Sequence, residues 1–395
     1  MWAWGLIVSV EYIIVMMLTY HLSIITNAGG LDLPAKYGGG RDGLYYHQHI
    51  TESFNSGVIS NPTGTSFVPM MTEFSKVLGK VDIFSMKLFN MAGLLIMLIF
   101  VMKTMQSIGR NSNVSVEDSI SKTMLRIALF PSALMVIAIA FSRDVWISAL
   151  FVVATYLATK IIRNKWGVVF IPLLIITIEW LSWFRGYAGL SVVVGLCLYG
   201  FIRLFGMRRV IIIMPLGILA FYIWFSQFKE YEIPMVNMTL LDAIQYQGGY
   251  YKVGDVTYQR TGGSDFMSAF DAYNFGKFLF QLVQSYVGNF IGPFIWQIGK
   301  PNLMILFIFE TLPTLYMLYR LLGKSRKVFL KFLSENQAAV LIMCQMFAWW
   351  TMMALSNKNT GAGMRLRVPL YLFMWMVYYV FREYEKKYML NTSRE

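Results

Sequence analysis

The sequence predicts an all-α integral membrane protein that forms a single polytopic domain over residues 1–395. Hydrophobic residues make up 57% of the chain and charged residues only 14%, whereas charged residues are about 25% of an ordinary soluble domain. The apolar residues are gathered into about ten runs that are long enough to cross the hydrocarbon core as helices. Together these observations exclude a soluble domain.

The predicted membrane-spanning segments follow one another through short connections, except at two long loops. The sequence contains no internal repeat, which argues against a transporter built from inverted repeats. The predicted segments cover residues 2–20, 83–102, 123–141, 145–160, 167–183, 187–204, 209–226, 302–322, 336–355 and 368–382.

Basic residues assign the two sides of the predicted bundle. They follow every second segment, and cytoplasmic loops carry an excess of Lys and Arg. We therefore predict that both termini are cytoplasmic and that two long loops, about 21–82 and 227–301, are external. The basic residues that set this orientation are Lys103, Arg110, Lys122, Lys160, Arg163, Lys165, Arg203, Arg208, Arg209, Arg320, Lys324, Arg326, Lys327, Lys331, Arg382, Lys386 and Lys387.

The net charge of +13 is explained by these loops. The sequence shows no RNP motif, zinc-finger spacing or basic recognition helix, so a nucleic-acid partner is not predicted. Membrane lipids are the predicted surroundings instead.

The second long loop contains an apolar, aromatic stretch at 276–296. Counting it as a span would place the basic residues at 320–331 outside, against the orientation rule. We therefore predict a helix that lies on the outer surface or re-enters it, and that ends at Gly292-Pro293. The polar stretch 240–275 is predicted to be a folded or mobile loop, and a lid is one reading of it.

Four arginines lie on the predicted external side, and the orientation rule does not explain them. The guanidinium group stays charged and matches phosphate oxygens, so a phosphate-binding cluster is one interpretation. The alternative is that each arginine reaches lipid headgroups or pairs with an acid. Small polar residues at 359–363 precede two of them and predict an irregular chain that a ligand can approach. The four are Arg143, Arg185, Arg365 and Arg367.

Acids near these arginines have two interpretations. Ser142 is a natural N-cap and Asp144 suits the first turn of the fourth span. Glu179 lies six residues before Arg185. It is interpreted either as the ion partner of that arginine inside the protein or as a contact for substrate. Glu310 lies inside a predicted span without a partner that the sequence identifies; it is either protonated, paired across helices, or functional.

Within the first external loop, residues 38–49 combine an acid, a base, two tyrosines and two histidines. Asp42, Tyr45, Tyr46 and His49 share one face at helical spacing. The carboxylate of Asp42 can act as a general base towards a hydroxyl, or can bind a divalent cation that holds phosphate. The alternative is a capped interface helix with its tyrosines in the aromatic belt.

The two histidines of this stretch, His47 and His49, can add a ligand or a proton acceptor. Their spacing alone does not predict a zinc site. No cofactor follows from the residues; a divalent cation, Mg²⁺ or Mn²⁺, is left open, with Asp42 as its ligand.

Four short motifs are spread over most of the chain. They are RDGLYY at 41–46, FPS at 130–132 with SRD at 142–144, GNFIGPFIW at 288–296, and NTGAGMRLRVP at 359–369. Together they resemble motifs of bacterial GT-C-type membrane glycosyltransferases and of related polytopic proteins from surface-polysaccharide gene clusters. Arg143 and Ile295 stand where the family patterns have Lys and Pro.

This resemblance implies a GT-C-like fold and an enzyme at the outer face of the bacterial inner membrane. The donor would be a sugar on a polyprenyl phosphate or diphosphate such as undecaprenyl phosphate, and the acceptor a glycan. The catalytic or metal-linked carboxylate of such enzymes falls on Asp42. O-antigen or capsule assembly is the implied process, with other assembly proteins as partners.

Three functions are compatible with these features. The first is glycosyl transfer, as a repeat-unit polymerase or as a single-sugar transferase, with the four arginines holding the carrier phosphate. The second is a transporter or flippase of lipid-linked oligosaccharide. The third is a structural subunit of an assembly complex, which leaves the arginines without a role.

Overall fold

The computed structural model describes most of the chain, apart from several short gaps and much of the region between 207 and 273. The described residues are 2–33, 42–61, 64–163, 166–206, 209–210, 216–217, 220, 223, 230–233, 238–239, 250–253, 256–259, 266–267, 270–271, 274–299 and 301–392.

Within these ranges the chain is almost entirely helical, as the sequence predicts. The helices are α1 (Trp2–Ile25), α2 (Asp42–Ser56), α3 (Phe67–Leu78), α4 (Ile83–Ser112), α5 (Glu117–Ala128), α6 (Pro131–Ile139), α7 (Asp144–Arg163), α8 (Gly167–Phe184), α9 (Gly186–Phe205), α10 (Phe275–Ile291), α11 (Pro301–Lys324), α12 (Arg326–Glu335), α13 (Gln337–Ser356) and α14 (Thr360–Thr392).

Two short antiparallel strand pairs interrupt the helical pattern in the second long loop. The first joins β1 (Glu232–Ile233) to β2 (Met238–Thr239), and the second joins β3 (Tyr250–Val253) to β4 (Val256–Gln259). The rest of the polar stretch predicted at 240–275 lies largely outside the described residues.

Seven described helices are long and apolar enough to cross a membrane, namely α1, α4, α7, α8, α9, α11 and α13. The number rises to eight if α5 and α6 act together as one crossing, and this pair meets at a 58° bend. The chain is therefore compatible with a multi-pass membrane protein. The predicted segment 123–141 is bent where α5 meets α6. The predicted segment 209–226 lies almost wholly outside the described residues.

The predicted segment 368–382 forms the middle of α14, which is not among those seven helices. Arginines lie near both ends of this apolar stretch, and acids follow its C-terminal end; these charges lower the mean hydropathy of the helix. Nevertheless, α14 is the central helix: its residues 366–381 are buried except Tyr379. It contacts α4, α5, α6, α7, α10, α12 and α13.

The bundle has two chemically different ends. We define the basic end by Asn113, Arg163, Arg320 and Lys387, where residues of several predicted cytoplasmic loops meet. There Lys387 Nζ donates to the carbonyl of Asn113 at 2.9 Å. The other end is the cleft end, where α7 begins at Asp144. Since a helix rises about 1.5 Å per residue, the 20 residues of α7 separate the two ends by about 30 Å.

A helix does form in the apolar stretch predicted at 276–296: it is α10, which ends at Ile291 just before Gly292-Pro293. It packs along α13 rather than standing free. Tyr286 bonds Thr351 at 2.8 Å, and Ser285 Oγ donates to the carbonyl of Ala354 at 2.6 Å. These polar contacts fix α10 beside the start of α14.

Candidate functional site

A cleft of about 430 Å³ opens at the cleft end, and we call it the arginine cleft. Three of the four arginines singled out in the sequence line it, although they are far apart in the chain. Its volume lies within the range of about 300–1,000 Å³ that small-molecule sites occupy. The lining residues are Gly64, Thr65, Arg143, Ser182, Trp183, Phe184, Arg185, Gly186, Tyr187, Ser356, Asn357, Ala362, Arg365 and Leu366.

One wall of the arginine cleft is formed where the loop before α3 meets the end of α8. The Ser66 N–H donates to the carbonyl of Trp183 at 3.0 Å. The Thr65 hydroxyl donates to the carbonyl of Phe184 at 3.3 Å. These bonds satisfy carbonyls that the end of α8 would otherwise leave unpaired.

The opposite wall is the turn between α13 and α14. The stretch 359–363 was expected to be irregular, but residues 360–363 form the first turn of α14. Asn359, just before the helix, accepts the Gly361 N–H through its side chain at 2.8 Å. Asn357 and Asn289 bond each other through their amides at 2.6 Å. A side chain on Gly363 would come within 3.0 Å of Asn357, so this glycine allows the close packing behind the wall.

Arg365 forms an ion pair with Asp42, 323 positions earlier in the chain. Both side chains reach solvent, with 35% of Arg365 and 51% of Asp42 exposed. Burial by itself would lower the pKa of Arg365, but Asp144, Asp42 and Tyr46 outweigh it and raise the pKa. The pair therefore places the predicted base directly at the rim of the arginine cleft.

Arg185 pairs with Asp144 at 3.6 Å and donates to the Tyr187 hydroxyl at 2.9 Å. Burial opposes its charge, but Tyr187 and Asp144 outweigh that effect and raise its pKa. The internal pair between Arg185 and Glu179, one of the two interpretations of Glu179, is not formed; Glu179 is exposed on α8. Asp144 takes that role because the hairpin before α7 brings it to the same end of the bundle.

Arg143 differs from its two neighbours. It is half-buried, and among the described residues its guanidinium has no ion pair, with its Nε left without a hydrogen-bond partner. The backbone beside it is held by α4, where Asn90 donates to the carbonyl of Ser142 at 3.2 Å. Three cations thus face two carboxylates, Asp42 and Asp144, which leaves the cleft net positive.

Arg367 lies outside the arginine cleft and is only 1% exposed. It pairs with Glu310 at 3.3 Å and donates to the carbonyl of Gly292 at 2.5 Å. Glu310 also accepts the N–H and the hydroxyl of Ser132 at 2.7 and 2.8 Å. Glu310 therefore has the partner that the sequence did not reveal, and this pair joins α6, α11 and α14.

The face of α2 that carries Asp42 has a mixed role. Tyr46 is buried against the Phe67 ring, with centroids 5.0 Å apart. The ring centroids of Tyr45 and His49 are 4.5 Å apart, and His49 Nδ1 lies 3.0 Å from Glu52 Oε2. These residues pack the helix in place. The glycines predicted to turn into it, at 38–40, lie outside the described residues.

His47 is half-buried beside this face. Burial lowers the pKa of its imidazole, which favours the neutral ring at physiological pH. Neither histidine lines the arginine cleft.

A divalent cation fits the described residues poorly. Among them, no three His, Cys, Asp or Glu side chains come together as metal ligands, and arginines flank both cleft carboxylates. Each guanidinium would repel a metal ion held by Asp42 or Asp144.

Several residues that build the site were missed by reading the sequence. Lys87 and Asn90 are buried polar side chains inside an apolar run, a signal that usually marks a partner. Asp32 carried no such signal, since it lies in a loop where acids are common. The sequence does not distinguish Trp183 and Tyr187 from other aromatic residues near a membrane surface.

No protein-family model, curated protein or solved structure matches this chain. The resemblance to GT-C-type enzymes accordingly rests on the four motifs alone.

Proposed function

We propose that this protein transfers a sugar from a polyprenyl phosphate or diphosphate carrier to a glycan acceptor, in the assembly of O-antigen or capsule. It acts as a repeat-unit polymerase or as a single-sugar transferase at the outer face of the bacterial inner membrane. This orientation follows if the basic end is cytoplasmic. The arginine cleft then opens at the outer face.

The observation that carries the proposal is the position of Asp42 beside the arginine cleft. Arg365 pairs with Asp42, and Arg143 and Arg185 line the same cleft. Glycosyl transfer from a phosphate carrier needs a base for the acceptor and positive charge for the leaving group. Both requirements are met within one site.

In the proposed reaction, Asp42 takes the proton of an acceptor hydroxyl as its oxygen attacks the anomeric carbon. The bond between that carbon and the carrier phosphate oxygen breaks, and the phosphate leaves with the electron pair. Arg143, Arg185 and Arg365 stabilise the charge that develops on the phosphate. The proton on Asp42 then passes to solvent, since this side chain is exposed.

The test is Asp42→Asn, which keeps the size of the side chain and removes the base. We expect transfer to fall at least about 100-fold, measured as the surface-glycan banding of a deletion strain that carries the variant. Asp118→Asn is the matched control, because Asp118 is an equally exposed, ion-paired acid at the basic end. Normal banding from Asp42→Asn at normal expression would exclude Asp42 as the base.

The banding pattern of the deletion strain itself distinguishes a repeat-unit polymerase from a single-sugar transferase. Loss of long chains indicates a polymerase. A normal ladder with altered side groups indicates a single-sugar transferase.

A flippase for lipid-linked oligosaccharide is the second candidate, and one observation favours it. The bend between α5 and α6 lies beside the buried Arg367–Glu310 pair. Broken helices with buried charges are typical of transporters. Movement of intact lipid-linked oligosaccharide across vesicles, without formation of a new glycosidic bond, would favour this function over transfer.

A further inference from the structure

Asp32 lies behind the arginine cleft and joins two segments of the site. Its side chain is 8% exposed. One carboxylate oxygen accepts the backbone N–H of Gly43 at 3.1 Å, and the other accepts the backbone N–H of Phe141 at 3.0 Å. Gly43 directly follows Asp42, and Phe141 stands two residues before Arg143. Asp32 therefore bridges the proposed base to the unpaired arginine.

The contact between α2 and Asp32 requires a residue without a side chain at position 43. A Cβ atom at position 43 would lie 2.4 Å from Asp32 Oδ2, closer than atoms can approach without displacement. Only glycine lets the first turn of α2 come this near to the carboxylate. The close approach of Asp32 thus explains why glycine stands next to Asp42, without any contact to substrate.

Neighbouring contacts make the bridge rigid. The carbonyl of Asp32 accepts the Ser23 hydroxyl at 2.8 Å, which ties the loop to α1. Lys87 holds the other segment by donating to the carbonyl of Ile139 at 2.8 Å. Phe67 also connects both segments, with its ring 5.0 Å from Tyr46 and 5.3 Å from Phe141.

We infer that Asp32 is a positioning residue for the transfer reaction, which fixes Asp42 relative to Arg143. This inference rests on the proposed function. Asp32 does not line the cleft, so it acts through the two backbone N–H groups and not on the substrate. A base and a phosphate anchor must hold their separation closely, because a displacement of about 1 Å can cost on the order of 100-fold in rate.

The experiment is a two-residue cycle of Asp32→Ala, Gly43→Ala and the double variant, in the full-length protein reconstituted in membranes. We expect each single change to lower the transfer rate on the order of 100-fold. The double variant is expected to be no slower than Asp32→Ala, because the methyl group added by Gly43→Ala clashes only with the Asp32 carboxylate. Effects that multiply, or a rate within about twofold of wild type for Asp32→Ala, would overturn the inference.

Binding and turnover separate positioning from general damage. Affinity for farnesyl diphosphate, used as the phosphate probe, is expected to change less than about threefold in Asp32→Ala, since neither Arg185, at the junction of α8 and α9, nor Arg365, on α14, is held by Asp32. A loss of probe affinity as large as the loss of rate would contradict a positioning role. Asp82→Ala is the matched control, because Asp82 also accepts a backbone N–H, from Ser85 at 2.9 Å, without contacting the cleft.

Hydrogen exchange tests the bridge without relying on activity. The amides of Gly43 and Phe141 are expected to exchange at least about tenfold faster in Asp32→Ala, since both lose their acceptor. They should be unchanged in Asp82→Ala. Unchanged exchange in Asp32→Ala would overturn the inference and leave the proposed function intact. A wild-type protein that transfers no sugar would instead overturn the proposed function, whatever the exchange result.

Discussion

The two ends of the bundle use arginine in opposite ways. At the basic end, Glu385 is buried and pairs with Arg320 at 3.1 Å and with Arg382, so one carboxylate joins two cations within the protein. In the arginine cleft, Arg143 has no ion partner among the described residues, and the pair of Arg365 with Asp42 is open to solvent. Only Arg185 resembles the basic end there, since its pair with Asp144 is largely buried. The role of an arginine in this protein therefore depends on whether the fold supplies its counter-ion.

The same contrast appears within two residues of α14. Arg365 faces the cleft, and Arg367 is buried with Glu310. Successive helical positions turn by about 100°, so these two side chains point to nearly opposite sides. The sequence grouped them only because both lie on the predicted external side.

The largest effect is expected at the basic end from Glu385→Gln. Removing this charge leaves Arg320, only 13% exposed, without compensation, which should lower the free energy of unfolding by about 3 kcal/mol. Thermal unfolding of the purified protein measures the change. Affinity for farnesyl diphosphate should stay as in wild type; a parallel loss of affinity would break the distinction between the two ends.

Arg143→Ala should give the reverse result. It removes a cation that the protein does not neutralise, so stability should change by less than about 0.5 kcal/mol. Probe affinity should fall about tenfold or more, as expected for loss of one charge-assisted hydrogen bond. Isothermal titration with farnesyl diphosphate measures it. Arg163→Ala is the control, since Arg163 lines a smaller cleft at the basic end; equal losses from both variants would contradict the assignment.

The smallest effect is expected from Asp118→Asn. Its pair with Lys122 is exposed on both sides, and such surface pairs contribute about 0–1 kcal/mol. Thermal unfolding should show a change below about 1 kcal/mol, and transfer should be unaffected. A loss comparable to that of Glu385→Gln would show that exposure does not separate the two kinds of ion pair.

Much of the architecture could be predicted from the sequence, because the apolar composition and the length of a segment are local properties of the chain. The long runs at 83–102, 145–160 and 187–204 each became helices that are apolar enough to span. The helix at 276–296 ends before Gly292 as predicted, because Pro293 cannot continue the hydrogen-bond ladder. The bend between α5 and α6 was missed, although Pro131 marks its position.

The site was accessible only in part. Charge pattern singled out Asp42, Arg143, Arg185 and Arg365, which the fold brings to one cleft. It also singled out Arg367, whose partner Glu310 comes from another helix, and Glu179, which faces outward instead of reaching Arg185. Pairing of this kind is long-range, and spacing along one chain does not encode it.

The sequence by itself determined a helical, multi-pass chain and the residue types available for chemistry, because hydropathy and charge are properties of short segments. Only the tertiary structure decided that α14 is central, that Asp42 meets Arg365, and that Asp32 bridges Gly43 to Phe141. Those outcomes depend on which helix faces pack together, and packing alone determines which charges are neutralised and which remain open to a ligand.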